Sequence, residues 1–322
     1  MIDKVSPNLG FDLVRVTEAA ALTAGRWMGL GKPDLLNQHA AQAMADAFNT
    51  LRIQGHIVVG EEGKLGMHTN LDSGTKVGTG EGPELDVVAD PIDGVVLLSE
   101  GRPNAIAVAG FARRGSMWSP SPAVYMEKIV VDQDAANSLV HECMDAPAAW
   151  TLALIARVKE KRIGDLVVFV LNRPRHQALI EEIRTAGARI ILRDQGDVSG
   201  ALMAASKEVN VDLLLGIGGI NEGVISACAV KSLGGAMLGR LAPQTKEEWD
   251  AVEDSGLDTS EILTCEDLVA GEDIYFAATG ITDGAILSGI RYHGRLAETD
   301  SLVIRCKTGT RRRIQAEHLI ED

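Results

Sequence analysis

Two aspartates three positions apart follow an apolar run in the string Asp90-Pro91-Ile92-Asp93-Gly94. Two carboxylates on one tight turn can point at a single hard cation, because Mg²⁺ and Mn²⁺ prefer oxygen ligands. The proline fixes the backbone φ angle, and the glycine allows the backbone to approach a phosphate group closely. These residue types are also common in ordinary turns, so the string alone fits a structural turn equally well.

Further acidic residues stand at the ends of other predicted elements. Glu61 and Glu62 follow the apolar run HIVVG, and Glu222 begins the helix predicted after GIGG. Separate segments could therefore bring carboxylates to one divalent cation. Each acid also has a simpler explanation, because a helix dipole stabilises an acid in the first turn and a strand end is solvated. Their combination with the Asp90 turn favours a metal site.

Apolar strands and amphipathic helices alternate from about residue 166 onward. The successive strings are LVVFVL, QALIEEIRTAG, RIILRD, SGALMAASKE, VDLLLGIGG and EGVISACAVKSLGG. This alternation is typical of a parallel sheet in a three-layer α/β arrangement. The binding crevice is expected where strands end and helices begin, at NRPRH, RDQGDV and GIGGINEG.

The first half of the chain predicts helices and a sheet that carries acids at its strand ends. A helix is expected over residues 13–28 and a second one after an N-cap at Asp34. The predicted strands are HIVVGEE, LDVVADPIDG, VVLLSEG and AIAVAGFA. The polar stretch 60–82 is long for a connection, and such loops are often functional. We predict two α/β parts, residues 1–160 and 161–322, with the tail packing back on the first.

Composition limits the partners. The chain has 322 residues, a mean hydropathy of +0.07 and a formal net charge of −14, which argue for a soluble protein and against nucleic acid or an anionic membrane as partner. No segment has the length of a signal peptide's apolar run or of a membrane span. The four cysteines are widely spaced, which fits a reducing cytoplasm. Small anionic substrates bound together with a metal ion remain possible.

Strings in the same order over nearly the whole chain resemble the class II fructose-1,6-bisphosphatases of the lithium-sensitive phosphatase superfamily. The matching strings are RVTEAAAL, KVGTG, ADPIDG, GRPNAIAV, YMEK, RPRH, GDV, GIGGINEG, ATGIT and RRRIQAEH. The resemblance implies a layered α-β-α-β-α fold with two sheets. It also implies an enzyme in which water, assisted by Mg²⁺ or Mn²⁺, removes the 1-phosphate of fructose 1,6-bisphosphate, and a homodimer or homotetramer.

The same resemblance assigns site residues. It implies Glu61, Asp90, Asp93 and Glu222 as metal ligands, with the first three also catalytic. It implies that substrate contacts come from Gly94, Val95, Tyr125, Arg173, Arg175, Asp197 and Gly218. Arginine suits the distal phosphate because its planar fork binds two phosphate oxygens. Arg173 and Arg175 could instead be a solvent-facing pair around a proline, and Lys76 and Lys128 are expected to be surface charges.

Several polar positions depart from the family pattern. Val95 stands where the family has a threonine whose hydroxyl helps to orient the attacking water, and valine keeps the shape without the hydroxyl. Gln38 stands at the place of a metal-binding aspartate, and Gln195 where the family has aspartate before GDV. The acidic loop after Glu61 has lost one acid. The strings that define the fold are intact.

Three functions are compatible with these departures. The chain is a phosphatase for a related sugar phosphate, an unusual fructose-1,6-bisphosphatase, or a non-catalytic relative that binds sugar phosphate or a partner enzyme. The retained Asp90 turn and Glu222 favour a phosphatase, since carboxylates without a metal would repel phosphate. GIGG lacks the spacing of a dinucleotide-binding GxGxxG motif. The basic RRRIQ segment is expected to be a surface strand or a subunit contact.

Overall fold

The computed structural model describes residues 8–60, 62 and 68–320 of the chain. Over these residues the chain forms two sheets with helices outside and between them. The helices are α1 (Leu9–Gly25), α2 (Pro33–Asn49), α3 (Val95–Ser99), α4 (Ala148–Val158), α5 (Gln177–Thr185), α6 (Asp197–Ala205), α7 (Ile220–Ser232), α8 (Lys246–Asp254) and α9 (Cys265–Leu268).

Fourteen strands are present in the described residues. They are β1 (Gln54–Val59), β2 (Lys76–Val77), β3 (Glu84–Asp93), β4 (Ile106–Arg113), β5 (Tyr125–Val131), β6 (Val167–Leu171), β7 (Arg189–Arg193), β8 (Leu213–Gly219), β9 (Ala236–Leu241), β10 (Leu263–Thr264), β11 (Tyr275–Gly280), β12 (Arg291–His293), β13 (Leu296–Arg305) and β14 (Thr310–Leu319).

The first sheet has the strand order β12-β13-β11-β4-β3-β1-β2, with β14 on the other side of β13. Its central strand β3 pairs parallel to β1 and antiparallel to β4. The pairing with β4 shifts between Asp90 and Asp93, so the strand is irregular at the aspartate turn. Irregularities of this kind redirect side chains and are common beside active sites.

The second sheet has the order β10-β9-β5-β8-β6-β7. The predicted parallel pairing is present between β6 and its neighbours β7 and β8. A wholly parallel sheet is nevertheless wrong, because β5 pairs antiparallel to both β8 and β9. This strand comes from before residue 160, and β11 to β14 return to the first sheet. The division at residue 160 therefore does not separate the two sheets, and it stays a prediction.

The layers follow from which faces are apolar. α1 and α2 pack on the outer side of the first sheet, and α4 and α5 on the outer side of the second. α6 and α7 lie between the two sheets; every residue of α6 is buried, as are nearly all of α7. A helix that is apolar on all sides must be enclosed on all sides. The expected α-β-α-β-α layering is confirmed.

Two helix predictions need correction. VVLLSEG was expected to be a strand, but Val95–Ser99 is the short helix α3, because a brief apolar run does not distinguish the two structures. Gly94 precedes it with φ 108°, a left-handed conformation that favours glycine. α2 begins at Pro33, so Asp34 lies in its first turn and does not cap it.

In the described part of the chain, no helix is long and apolar enough to cross a membrane.

Candidate active site

A cleft of about 210 Å³ lies where β3 ends and where β6 and β8 lead into their helices. It contains every predicted site residue that the structure describes: Asp90, Asp93, Gly94, Val95, Tyr125, Arg173, Arg175, Asp197, Gly218 and Glu222. The remaining predicted residue, Glu61, lies outside the described residues. Segments from both sheets thus contribute to one cleft, as the resemblance implies.

The carboxylates of Asp90 and Glu222 line this cleft and are almost completely buried, at 1% and 3% exposure. Asp90 Oδ1 accepts the backbone N–H of Ile92 at 2.8 Å, which holds the side chain inside its own turn. Glu222 lies in the first turn of α7, beside Gly219. A Cβ atom at Gly219 would lie 2.1 Å from Glu222 Oε2, so only glycine leaves room for this carboxylate.

Asp93 connects the first sheet to helix α6. Its Oδ1 accepts the backbone N–H of Asp197 at 3.0 Å, and its Oδ2 accepts that of Ser199 at 2.8 Å. Both N–H groups belong to the first turn of α6, which has no hydrogen-bonded side-chain cap of its own. A carboxylate satisfies such groups and is favoured by the helix dipole. Asp93 therefore has a structural role whether or not it also binds a metal ion.

A second cleft, of about 240 Å³, shares Gly219 and Glu222 with the first and also contains Glu62 and Asn221. The amide of Asn221 is fixed by donation from Nδ2 to Ala89 O at 3.2 Å. Its Oδ1 is buried without a hydrogen-bond partner. A buried oxygen of this kind, beside carboxylates, fits a hard cation in its chemistry.

The described residues do not complete a metal centre by themselves. Among them, no three His, Cys, Asp or Glu side chains are close enough together to hold a metal ion. Asp90, Glu222 and the orphaned oxygen of Asn221 are nonetheless of the kind that Mg²⁺ and Mn²⁺ prefer. The donor set therefore fits such a cation in type, and Glu61 would have to add to it.

The cleft is also lined by cationic and aromatic side chains. Arg175 donates from Nη2 and Nε to Ile217 O at 2.9 and 3.3 Å, and its guanidinium lies 5.1 Å from the centre of the Tyr125 ring. Burial lowers the pKa of Arg175, although arginine stays charged at neutral pH. Arg173 is half-buried, and its buried Nε has no acceptor. Two guanidinium groups in one cleft suit a phosphate group.

Lys128 was expected to be a surface charge, and this prediction is wrong. It is among the largest completely buried side chains, and its Nζ forms a short ion pair with Asp197 Oδ2. Gly218 lies against this pair, since a Cβ atom there would be 1.7 Å from Asp197 Oδ2. The alternation of β5 carried the signal, because Lys128 shares a strand face with the buried Met126 and Val130.

Gln195 and Gln38, two residues that depart from the family pattern, have different surroundings in the structure. Gln195 accepts the backbone N–H of Val96 at 2.7 Å, so this N–H group, close to the predicted phosphate contacts Gly94 and Val95, already has an acceptor. Gln38 is exposed on α2, whereas the preceding Asn37 is buried and its Oδ1 lacks a hydrogen-bond partner. The inward polar group of this helix is therefore Asn37 rather than Gln38. Lys76, also expected at the surface, is exposed.

Comparison with known proteins finds relatives over nearly the whole chain. Residues 7–318 match the model of the family described as bacterial fructose-1,6-bisphosphatase, glpX-encoded. The chain is 37% identical over 327 residues to fructose-1,6-bisphosphatase class 2 of Haemophilus influenzae, covering 98% of this chain and 97% of that protein. It is 35% identical over 327 residues to fructose-1,6-bisphosphatase 1 class 2 of Escherichia coli K12, covering 98% and 96%.

Proposed function

We propose that this chain, which belongs to the bacterial glpX-encoded fructose-1,6-bisphosphatase family, is a metal-dependent phosphatase that removes the 1-phosphate of fructose 1,6-bisphosphate or a closely similar ketose bisphosphate. The observation that carries this proposal is the composition of one cleft. The cleft combines carboxylates, which we assign to an acidic end, with two arginines and a tyrosine, which we assign to an arginine end. A sugar with a phosphate group at each end needs both.

The acidic end is assigned to the phosphate that is removed. Glu61, Asp90, Asp93 and Glu222 would hold Mg²⁺ or Mn²⁺ there, with Asn221 Oδ1 as a further oxygen donor. When bound, such a cation supplies the positive charge that phosphate oxygens require and lowers the pKa of a bound water. The buried position of Asp90 and Glu222 excludes bulk water around them, which strengthens their electrostatic effect on the reacting group.

The opposite end is assigned to the sugar and to the phosphate that is retained. Arg173 and Arg175 bind the distal phosphate through N–H groups that the protein leaves available. Asp197 accepts a hydrogen bond from a sugar hydroxyl, and its Oδ2 also accepts a hydrogen bond from Lys128 Nζ. Tyr125 lies beside Arg175, and Gly218 keeps the cleft floor open. Together these contacts hold the substrate in one orientation.

The missing hydroxyl at Val95 restricts how the attacking water is oriented. Of the described residues that line the cleft, only Tyr125 carries a side-chain hydroxyl, and it lies at the arginine end. We assign acceptance of the water's proton to a carboxylate of the acidic end. Such a site retains catalysis but loses the contribution of one positioned group, roughly 10²–10⁴-fold in rate.

The assembly and the location are part of the same proposal. We place the enzyme in the cytoplasm as a homodimer or homotetramer with a small sugar phosphate as its ligand. Mass photometry of the purified protein distinguishes a dimer from a tetramer, and a single monomer peak at micromolar concentration would contradict both.

Phosphate release tests the function. We expect purified protein with Mn²⁺ or Mg²⁺ to release inorganic phosphate from at least one of fructose 1,6-bisphosphate, sedoheptulose 1,7-bisphosphate and the ketohexose monophosphates. The activity should disappear with a chelator and return with the metal. Absence of release from all of these substrates, while the protein is folded and metal is present, would favour a non-catalytic sugar-phosphate binder.

A further inference from the structure

We propose that His176 is a positioning residue for the distal phosphate, because its neutral imidazole joins the separating ends of β6 and β8 and thereby fixes Arg175. This inference rests on the proposed function, in which Arg175 binds the phosphate that is retained. Nothing in the family resemblance assigned this histidine a role beyond its place in the RPRH string.

The two strands separate just before the cleft. β6 and β8 pair in parallel through Val168↔Leu213 and Phe169↔Leu214, and the ladder ends there. Further along, the imidazole of His176 fills the gap between them. Its Nδ1 lies 2.7 Å from Leu171 O on β6, and its Nε2 lies 2.8 Å from Ile217 N on β8. The ring replaces the missing contact between the strands at the point where the cleft opens.

The two contacts determine the protonation state of the ring. A carbonyl oxygen only accepts and a backbone N–H only donates, so Nδ1 carries the hydrogen and Nε2 carries the lone pair. A protonated ring would direct a second N–H at the N–H of Ile217. Burial lowers the pKa of His176, which is 2% exposed, and the hydrogen bond to Leu171 partly offsets this effect. Arg175 and Arg173 also lower this pKa, while Asp197 raises it.

Ile217 connects the imidazole to the guanidinium. Its backbone N–H donates to His176, and its C=O accepts Nη2 and Nε of Arg175. The side chains of the consecutive residues Arg175 and His176 thus both hydrogen-bond to the backbone of Ile217 on β8. Arginine has five N–H groups, so these contacts leave three for a ligand. If His176 releases Ile217, the acceptor that orients Arg175 over Tyr125 moves with it.

Gly216 supports the same arrangement. A Cβ atom at this position would lie 3.1 Å from Cε1 and Nε2 of His176, and the backbone has φ 141°. Glycine therefore lets β8 approach the imidazole closely enough for the hydrogen bond to Ile217. The ring is enclosed, which distinguishes it from the exposed His141.

Substitution separates positioning from folding. His176→Leu keeps an apolar side chain but removes both hydrogen bonds, whereas the amide of His176→Gln can donate to Leu171 O and accept from Ile217 N–H. We expect His176→Leu to raise KM for fructose 1,6-bisphosphate about tenfold, the effect of about one lost hydrogen bond, with kcat little changed. His176→Gln should restore most of the affinity. His141→Leu is the matched control and should leave KM unchanged.

Fructose 1-phosphate, which lacks the distal phosphate, identifies the subsite. Its KM should be the same in the wild type and in His176→Leu. An equal increase in KM for both substrates, or a change confined to kcat, would overturn the proposal. If His176→Leu does not fold, the wild type is compared with His176→Gln. On acidification, KM for the bisphosphate should rise more steeply in the wild type than in His176→Gln. Identical pH profiles of KM would contradict the proposal.

Binding of fructose 6-phosphate separates this inference from the proposed function. Calorimetry measures its affinity without turnover. If the wild type hydrolyses no substrate but its affinity for fructose 6-phosphate falls in His176→Leu and returns in His176→Gln, the hydrolase assignment fails and the role of His176 stands. If turnover is present but the affinities of the three proteins are equal, the role of His176 is wrong and the function stands.

Discussion

Asp93 accepts the backbone N–H of Asp197 at 3.0 Å, although the two residues are more than a hundred positions apart in the chain. Asp93 ends β3 in the first sheet, and Asp197 begins the helix that follows β7 in the second. The contact joins the acidic end of the cleft to the residue assigned to the sugar. A charge-assisted hydrogen bond at a helix terminus therefore fixes the backbone of Asp197 relative to Asp93.

Removal of this connection should affect both stability and activity. We expect Asp93→Ala to lower the free energy of unfolding by about 1–3 kcal/mol, because two buried N–H groups lose a charged acceptor. It should also lower kcat/KM for the bisphosphate. Thr264→Ala removes the cap of helix α9, where Thr264 accepts the backbone N–H of Asp267, and should cost about 1 kcal/mol without loss of activity. Urea unfolding and phosphate release measure the two effects, and equal activity in both variants would contradict this account.

The buried pair of Lys128 and Asp197 predicts a large loss of stability on substitution. Lys128→Met leaves a buried carboxylate without its cation, which typically costs about 3–5 kcal/mol. Lys207→Met is the control, because Lys207 and its partner Asp134 are both more than half exposed, and such pairs contribute about 0–1 kcal/mol. Chemical denaturation compares the two variants. A loss in Lys128→Met as small as in Lys207→Met would show that the lysine is not confined as described.

Gly218 leaves the space that Asp197 occupies. Gly218→Ala would place a Cβ atom 1.7 Å from Asp197 Oδ2 and 2.8 Å from Lys128 Nζ, so the carboxylate must move. A displacement of about 1 Å can cost roughly 10²-fold in rate, and we expect a loss of that order in kcat/KM. Gly164→Ala is the matched control, since its Cβ atom would meet only an ordinary contact at 3.6 Å. Unchanged kinetics in Gly218→Ala would remove Asp197 from the site.

Val95→Thr should raise kcat on fructose 1,6-bisphosphate by about 10²-fold or more, if that is the natural substrate, since a positioned hydroxyl returns to the acidic end. Val95→Ala serves as the control, because it changes the packing without adding a hydroxyl. Steady-state phosphate release gives both values. An unchanged or lower kcat in Val95→Thr would indicate that the pocket is specialised for another sugar phosphate.

His176 also predicts a pH dependence of folding. Its pKa is lowered in the folded protein by burial, so the unfolded chain binds the proton more readily. Its contribution to stability is therefore complete above the ordinary pKa of 6.5 and declines as the pH falls below that value. Urea unfolding between pH 5 and pH 8 should show a shallower decline in His176→Gln. Identical pH profiles would mean that the ring is not held neutral.

The sequence predicts which residues line the cleft better than it predicts their hydrogen-bond partners and the pairing of their strands. RPRH, RDQGDV and GIGG are predicted to meet because strand ends in an α/β sheet share one edge, the family resemblance adds the aspartate turn, and all of them contribute to one cleft. The charge of Lys128 predicts a surface position, whereas the alternation of side chains along β5 predicts the buried position that the structure shows. The antiparallel position of β5 was missed because it depends on pairing between strands far apart in the sequence. The link between Asp93 and α6 has no local signal, since its partners are backbone N–H groups.

The most direct test of the central claim is phosphate release by the unmodified protein in the presence of Mn²⁺, with fructose 1,6-bisphosphate and then with the related ketose phosphates. We expect one inorganic phosphate to be released per molecule of a bisphosphate, and this release should be lost on chelation of the metal and in Asp90→Asn. A folded protein that binds Mn²⁺ and sugar phosphate yet releases no phosphate from any of these compounds would contradict it.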